Sequence, residues 1–127
     1  MKKVVLILAI LVGLLLVFAV GSGFLKRGDV ALMDYTVSED GGTLHFRAAV
    51  MSSMGHTRGF YETDGPDGSI TLTFRNTFGG LNSALGAKED FRLALAENVT
   101  EIRFTDSCGN AVPVLVKDEQ SGQWERP

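Results

Sequence analysis

An unbroken apolar run near the beginning of the chain constrains the fold most. Residues 4–20 contain no polar side chain, and weaker apolar character continues to Leu25. A helix over residues 4–25 is about 33 Å long, which is enough to cross a bilayer core of about 30 Å. The rest of a 127-residue chain is too small to bury every side of such a helix. We therefore expect one N-terminal transmembrane helix.

This run is typical of an uncleaved signal-anchor, because the apolar core of a cleaved signal peptide has only about 7–15 residues. Ala19, Val20 and Gly21 can supply a small-residue cleavage site, so secretion after cleavage stays open. Lys2 and Lys3 make the N-terminal flank the more basic one, which favours a cytoplasmic N-terminus. Both alternatives place residues 26–127 outside the cytoplasm.

The remaining residues have the composition of one small soluble domain. We expect residues 1–25 to form the anchor, residues 26–29 a short linker and residues 30–127 an extracytoplasmic domain. Two of the 12 basic residues precede this part, so residues 26–127 hold 10 basic and 15 acidic residues, a net charge of −5. This balance predicts no binding to nucleic acid and no attraction of the domain to anionic lipid.

Apolar and polar residues alternate over most of the domain, which is typical of half-buried strands. Residues 43–50 and 69–75 alternate most regularly, and turn-forming residues cluster at 39–42, 64–68 and 107–110. These signals divide the domain into about seven short strands. They predict an all-β fold, specifically an antiparallel sandwich. Pro113 predicts an edge or a bulge in the last long strand.

A short motif in the last third of the chain carries a family resemblance. Asp106 and the pair Gly109-Asn110 lie between two apolar strands. This stretch resembles the last strands of bacterial immunoglobulin-like domains, where an aspartate and a Gly-Asn turn occupy a late hairpin. The whole chain resembles uncharacterised small membrane-anchored extracytoplasmic proteins of Gram-positive bacteria. The resemblance implies a bacterial cell membrane and an immunoglobulin-like sandwich, and it implies no activity.

The sequence predicts no catalytic, cofactor-binding or metal-binding residues. His45 and His56 lack the spacing of metal ligands. Asp64 and Asp67 suit a solvated turn better than a calcium loop. Cys108 has no local histidine base to activate it. As the only cysteine it cannot form an intramolecular disulfide, but an intermolecular one stays open.

Two segments rich in glycine, small polar and aromatic residues are candidate binding loops. They cover residues 52–61 and 76–83. Loops of this composition on a rigid scaffold often form binding surfaces, and arginine and aromatic residues dominate interface energetics. The candidate partner-contacting residues are Arg58, Phe60, Tyr61 and Phe78. The alternative is that Phe60 or Tyr61, and Phe78, belong to the core.

The leading hypothesis is a membrane-anchored extracytoplasmic module that binds a protein or glycan at the cell surface. A second hypothesis is an accessory or structural subunit of a membrane complex, acting through its anchor helix. A third, a small envelope hydrolase, is disfavoured because a domain of this size rarely builds the cleft that a ligand needs. We therefore expect a protein that is not an enzyme.

Overall fold

The computed structural model describes residues 1–22, 25–51, 56–77 and 86–127. The apolar run forms helix α1, Lys2–Ser22, as the sequence predicts. Apolar side chains are exposed on every side of α1, and none of the described domain covers them. In length and composition Lys2–Gly21 suits a membrane anchor, and a signal sequence has the same properties.

Nine strands follow α1 within the described residues, which confirms the prediction of a β-rich domain. Seven of them have five or more residues, and the first and last have two each. In chain order the strands are β1 Lys26–Arg27, β2 Val30–Val37, β3 Thr43–Val50, β4 Thr57–Asp64, β5 Ser69–Asn76, β6 Asp90–Ala94, β7 Glu101–Thr105, β8 Ala111–Lys117 and β9 Trp124–Glu125.

The strands form two sheets. In the larger sheet β5 pairs with β4 along one edge, while β7 and β1 share its other edge. β8 then pairs with β7, and β9 pairs with β8. The smaller sheet has the order β2-β3-β6.

One strand pair departs from the antiparallel arrangement that the sequence predicts. β5 and β7 run parallel, with Ser69 opposite Glu101 and Leu72 opposite Phe104. The connection explains this direction. After β5 the chain crosses to the smaller sheet, forms β6 and returns to the larger sheet, so β7 starts at the same end as β5. Strand alternation predicts the two strands but carries no information about which of them become neighbours.

Five phenylalanines join the two sheets. Phe46 and Phe91 project from the smaller sheet and meet Phe60, Phe74 and Phe104 of the larger sheet. Ring centroids across this interface lie 5.5–6.1 Å apart in the pairs Phe46–Phe60, Phe46–Phe104, Phe60–Phe91 and Phe74–Phe91. Burial of each large apolar side chain contributes about 1.5–3 kcal/mol. This aromatic layer therefore contributes a large part of the attraction between the sheets.

The other core side chains follow the predicted alternation. In β3, Leu44, Phe46 and Ala48 are buried, whereas His45 and Arg47 are exposed. The remaining buried apolar residues are Val30, Leu32, Ile70, Leu72, Leu93, Leu95, Val99, Ile102 and Leu115.

Residues 26–29, expected to be a linker, are part of the folded domain. Lys26 and Arg27 form β1 and pair with Arg75 and Phe74 of β5. The Arg27 guanidinium forms an ion pair of 2.9 Å with Asp29, and this hydrogen-bonded carboxylate raises the pKa of Arg27. The sequence could not show this because residues 26–27 lack alternation and pair only with a distant strand.

The two ends of the domain are distinct. At the near end, where α1 joins, the Asn76 amide donates to the Leu25 carbonyl at 2.9 Å and the Met51 amide donates to the Asp29 carbonyl at 2.7 Å. The opposite, far end consists of residues 38–42, 64–68, 95–100 and 118–123, which connect the strands there. Its connections are tied together by backbone hydrogen bonds from Leu95 to Gly42 and from Thr100 to Gly68.

Candidate functional site

Three of the four candidate binding residues predicted from the sequence lie on β4, but they do not share a face. Phe60 lies opposite Phe74 and Tyr61 lies opposite Thr73. Since successive side chains of a strand point to opposite faces, Phe60 enters the core and Tyr61 points outward. Phe60 contacts three core rings at centroid distances of 5.5–5.8 Å. Phe60 therefore packs against the core, which is one of the alternatives that the sequence leaves open.

Arg58 and Phe78 do not join Tyr61 on one described surface. Arg58 is half-buried beside a register shift between Thr57 and Gly59, where the ladder between β4 and β5 is irregular. Phe78 lies outside the described residues. Of the four candidates, Tyr61 is therefore the one whose side chain the structure places at an outward-facing site.

Tyr61 has two cations at its ring. The Arg75 guanidinium carbon lies 4.9 Å from the ring centroid, and the Lys26 Nζ lies 5.9 Å from it. Both distances fall within the range of a cation–π contact. Lys26 and Arg75 are cross-strand partners in β1 and β5, so the backbone ladder holds the two charges together. Among the described residues, no carboxylate forms an ion pair with Lys26.

Threonine hydroxyls line the surface beside this ring. Thr73 and Thr105 are linked through their Oγ1 atoms at 2.8 Å, across the pair β5–β7. A depression of about 380 Å³ lies above them, and Lys26 and Tyr61 form part of its wall. We call Tyr61, Lys26, Arg75, Thr73 and Thr105 the Tyr61 surface.

The electrostatics of the Tyr61 surface favour negative charge. A hydrogen bond with the Lys26 side chain lowers the pKa of the Tyr61 phenol, and a hydrogen bond with Thr73 and the charges of Lys26 and Arg75 act in the same direction. Each of these groups stabilises an anion at the phenol oxygen. The Lys26 ammonium and the Arg75 guanidinium are the donors that suit a carboxylate, phosphate or sulfate from outside; the Thr73 hydroxyl is buried against Thr105.

Sequence reasoning found Tyr61 but missed its neighbours. Alternation predicts that Thr71, Thr73 and Arg75 face outward; Thr71 and Arg75 are half-exposed, whereas Thr73 is buried. No signal linked that face to Lys26, because β1 has two residues and its pairing spans 49 positions. The site depends on strand order, which a single sequence does not display.

A second depression, of about 530 Å³, lies on the outer face of the smaller sheet. His45 is exposed there, opposite Thr36 and Arg92 in the ladder. Two positions further along β3, opposite charges alternate across the three strands. Arg47 lies between Asp34 and Asp90 and forms a 3.1 Å ion pair with Asp34. These charges compensate one another, so this face offers less to a charged partner than the Tyr61 surface.

The other residues that the sequence offers for metal binding or nucleophilic chemistry do not come together in one site among the described residues. Within the described residues no three His, Cys, Asp or Glu side chains converge as metal ligands. Asp67 occupies a tight turn with φ of 57°, and its carbonyl accepts a 3.0 Å hydrogen bond from the Thr100 hydroxyl. Cys108 is exposed in the turn between β7 and β8. The Asp106 carboxylate accepts hydrogen bonds from the amides of Cys108 and Asn110 at 2.9 and 2.8 Å, which orders this turn.

In comparisons with known proteins, the chain matches no family model, no curated protein and no solved structure.

Proposed function

We propose that this protein is a membrane-anchored extracytoplasmic binding module whose Tyr61 surface engages an anionic group of a partner at the cell surface. The carrying observation is the outward Tyr61 ring with Lys26 and Arg75 at 5.9 and 4.9 Å from its centroid, beside a row of hydroxyl groups. The partner class is a protein or a glycan that carries a carboxylate, phosphate or sulfate. No step of this role requires a catalytic group.

The membrane arrangement belongs to the same proposal. α1 crosses the bacterial cell membrane once, with Lys2 and Lys3 in the cytoplasm and the β-rich domain outside. The support is the exposed apolar surface of α1 and the more basic N-terminal flank. Secretion after cleavage near Ala19 is the alternative, since the same helix suits a signal sequence.

Cys108 provides a direct test of this arrangement, because it is exposed and is the only cysteine. In intact cells, a membrane-impermeant maleimide should label Cys108 on a cell-associated protein of about 13.7 kDa. A Lys2→Cys, Cys108→Ser variant should be labelled only after permeabilisation. Labelling of Cys108 only after permeabilisation would overturn the topology, and a labelled species about 2 kDa smaller would show cleavage of an N-terminal segment of about 20 residues.

The partner can be tested by photocrosslinking in intact cells. Thr63 lines the depression of the Tyr61 surface, whereas Thr36 lines the depression on the smaller sheet. With benzophenone-alanine in place of Thr63, we expect an adduct that is absent with benzophenone-alanine in place of Thr36. The adduct should be lost when Lys26→Gln and Arg75→Gln are added. Equal adducts at both positions, or an adduct that survives both substitutions, would contradict the proposal.

The immunoglobulin-like class of the domain is also a proposal. It is supported by the two facing sheets and by the Asp106 turn, whose carboxylate caps the amides of Cys108 and Asn110. The parallel pair β5–β7 departs from the antiparallel arrangement expected of this class. An experimental structure in which the two sheets do not face each other would contradict it.

The second candidate function, a subunit that acts through α1, is favoured by one observation. Every side of α1 is exposed and apolar, and Gly13 leaves an open position with no atom near its missing side chain. Replacing residues 4–22 with an unrelated transmembrane helix separates the two functions. Under this candidate the swap abolishes complex formation, whereas the binding module retains its crosslink at Thr63.

A further inference from the structure

The connection between α1 and the domain is very short. Three peptide links separate the Cα atoms of Ser22 and Leu25, so these atoms lie within about 11 Å of each other. Leu25 already belongs to the domain, since its carbonyl accepts the hydrogen bond from Asn76. With α1 across a bilayer, the near end therefore lies in or beside the headgroup layer, which is about 5–8 Å thick on each side.

The near end presents the residue types that favour this layer. Leu25 and Met51 are 58% and 70% exposed, although both are apolar. Lys26 and Arg75 lie close to Leu25, because β1 directly follows Leu25 and pairs with the last part of β5. Basic side chains are accommodated at membrane interfaces, where the stem lies in an apolar layer and the charged tip in a polar one. The edge of the Tyr61 surface that holds Lys26 and Arg75 is thus positioned beside the membrane.

The far end has the opposite character. Its four connections contain seven carboxylates and neither lysine nor arginine. These carboxylates belong to Glu39, Asp40, Asp64, Asp67, Glu97, Asp118 and Glu119. Strands of eight residues separate the two ends by about 26 Å, which exceeds the Debye length of about 8 Å at physiological salt. An upright domain keeps its negative charge beyond the reach of an anionic surface, whereas a tilted one does not.

This charge distribution revises an expectation from composition. The net charge of −5 over residues 26–127 predicts no attraction to anionic lipid. In the folded domain the far end carries the excess of negative charge, while the described near end, taken as its connections with Arg75 and Asp90 of the adjoining strand ends, is balanced. Its basic residues are Lys26, Arg27, Arg75 and Lys88, and its acidic ones are Asp29, Glu89, Asp90 and Asp106.

We propose that the domain stands upright on its near end, with Lys26 and Arg75 against the phosphates of anionic phospholipids. This inference rests on the proposed membrane anchor and leaves the outward face around Tyr61 and Thr63 to the protein or glycan partner.

Fluorescence quenching in nanodiscs tests this orientation with the full chain. The bilayer contains phosphatidylglycerol and a lipid with a spin label on its headgroup. One fluorophore is attached to Cys108, in the near-end turn against which Gly28 packs. The other is attached at the far end, in a Gln120→Cys, Cys108→Ser variant. We expect quenching at Cys108 to be at least about threefold stronger, because about 26 Å separates the two ends.

The cations are tested with a charge-matched control. Lys26→Gln with Arg75→Gln should bring the ratio of near-end to far-end quenching close to one. Arg92→Gln with Lys117→Gln changes the net charge equally, away from the near end, and should leave the ratio unchanged. Phosphatidylcholine nanodiscs or 1 M salt should act like the first variant, because screening shortens the Debye length to about 3 Å. Equal quenching of both fluorophores in the unsubstituted domain, or a ratio that survives loss of both cations, would overturn the proposal.

The two proposals fail in different ways. Maleimide labelling of Cys108 only after permeabilisation of cells overturns the extracytoplasmic module but does not change the quenching ratio in nanodiscs. A quenching ratio of one overturns the upright seating and leaves the cell-surface labelling unchanged. The Thr63 adduct tests the binding module alone, because Thr63 directly precedes Asp64 at the far end of β4.

Discussion

The Tyr35 hydroxyl donates a 3.0 Å hydrogen bond to the Trp124 carbonyl oxygen, 89 positions further along the chain. This bond connects β2 of the smaller sheet to β9 of the larger sheet. The adjacent Arg126 guanidinium donates to the carbonyls of Leu32 and Met33 at 2.9–3.2 Å. Together these bonds cover the open edge of β2, which reduces the risk of edge-to-edge pairing with another chain.

Tyr35→Phe should lower the free energy of unfolding by about 1 kcal/mol, the usual net contribution of one hydrogen bond. Urea unfolding followed by Trp124 fluorescence measures the change. Tyr61→Phe serves for comparison, because the Tyr61 hydroxyl bonds to Lys26 and Thr73 within the larger sheet and does not join the two sheets. A Tyr35→Phe free energy of unfolding equal to that of the unsubstituted domain would show that the Tyr35–Trp124 bond does not hold the sheets together.

Gly28→Ala should destabilise the domain by about 1–3 kcal/mol, the range of overpacking substitutions. A methyl group at Gly28 would overlap the backbone of Asp106 and Ser107, which cannot move without disturbing β7. The control is Gly59→Ala in β4, where no atom lies within 4 Å of the new methyl group. Thermal melting of both variants measures the difference. A Gly28→Ala melting temperature equal to that of Gly59→Ala would contradict the close approach.

Replacing a fully buried phenylalanine with alanine costs about 3–5 kcal/mol. Phe60 is half-buried, so Phe60→Ala should lower the free energy of unfolding by less than this amount. Tyr61→Ala, one position away, should cost less than about 1 kcal/mol, because its ring leaves no core cavity. Chemical denaturation separates the two. The reverse order would mean that Tyr61 is the core residue and Phe60 the surface residue.

Stability should also depend on Asp40 in acid. Hydrogen bonds from the Ser38 hydroxyl and the Gly42 amide lower the pKa of Asp40 in the folded state. A carboxyl with a lowered folded pKa stabilises the protein above its unfolded pKa, about 3.9. This contribution is lost as the pH falls through the lower folded pKa. In a carbon-13 NMR titration, Ser38→Ala should move the Asp40 midpoint upward, and an unmoved midpoint would rule out the Ser38 contribution.

Local pattern predicted the elements well. The alternation in residues 43–50 identified β3 and its buried face, since period-2 burial is a local property of a strand. Pro113 was expected at an edge or a bulge, and β8 has a register shift beside it, where Ile102 is opposite Leu115 and Arg103 opposite Pro113. Lys26 and Arg27 escaped detection as a strand, because two residues carry no period.

The candidate site was predicted in part. Composition singled out Tyr61 because aromatic residues near glycine often contact partners. It also singled out Phe60, which enters the core. A one-residue difference in position decides between the two faces of a strand, and the register shift between Thr57 and Gly59 lies just before this pair. Composition alone therefore could not assign the two rings.

By itself the sequence determined which segments are apolar, which alternate and where the chain turns. These properties depend on neighbouring residues, so they identify α1, most of the strands and much of the core. The tertiary structure alone decided that β5 and β7 are parallel neighbours, that Lys26 and Arg75 meet at Tyr61, and that the acidic turns share the far end. Such pairings join residues tens of positions apart, and their energies depend on contacts that exist only after the chain has folded.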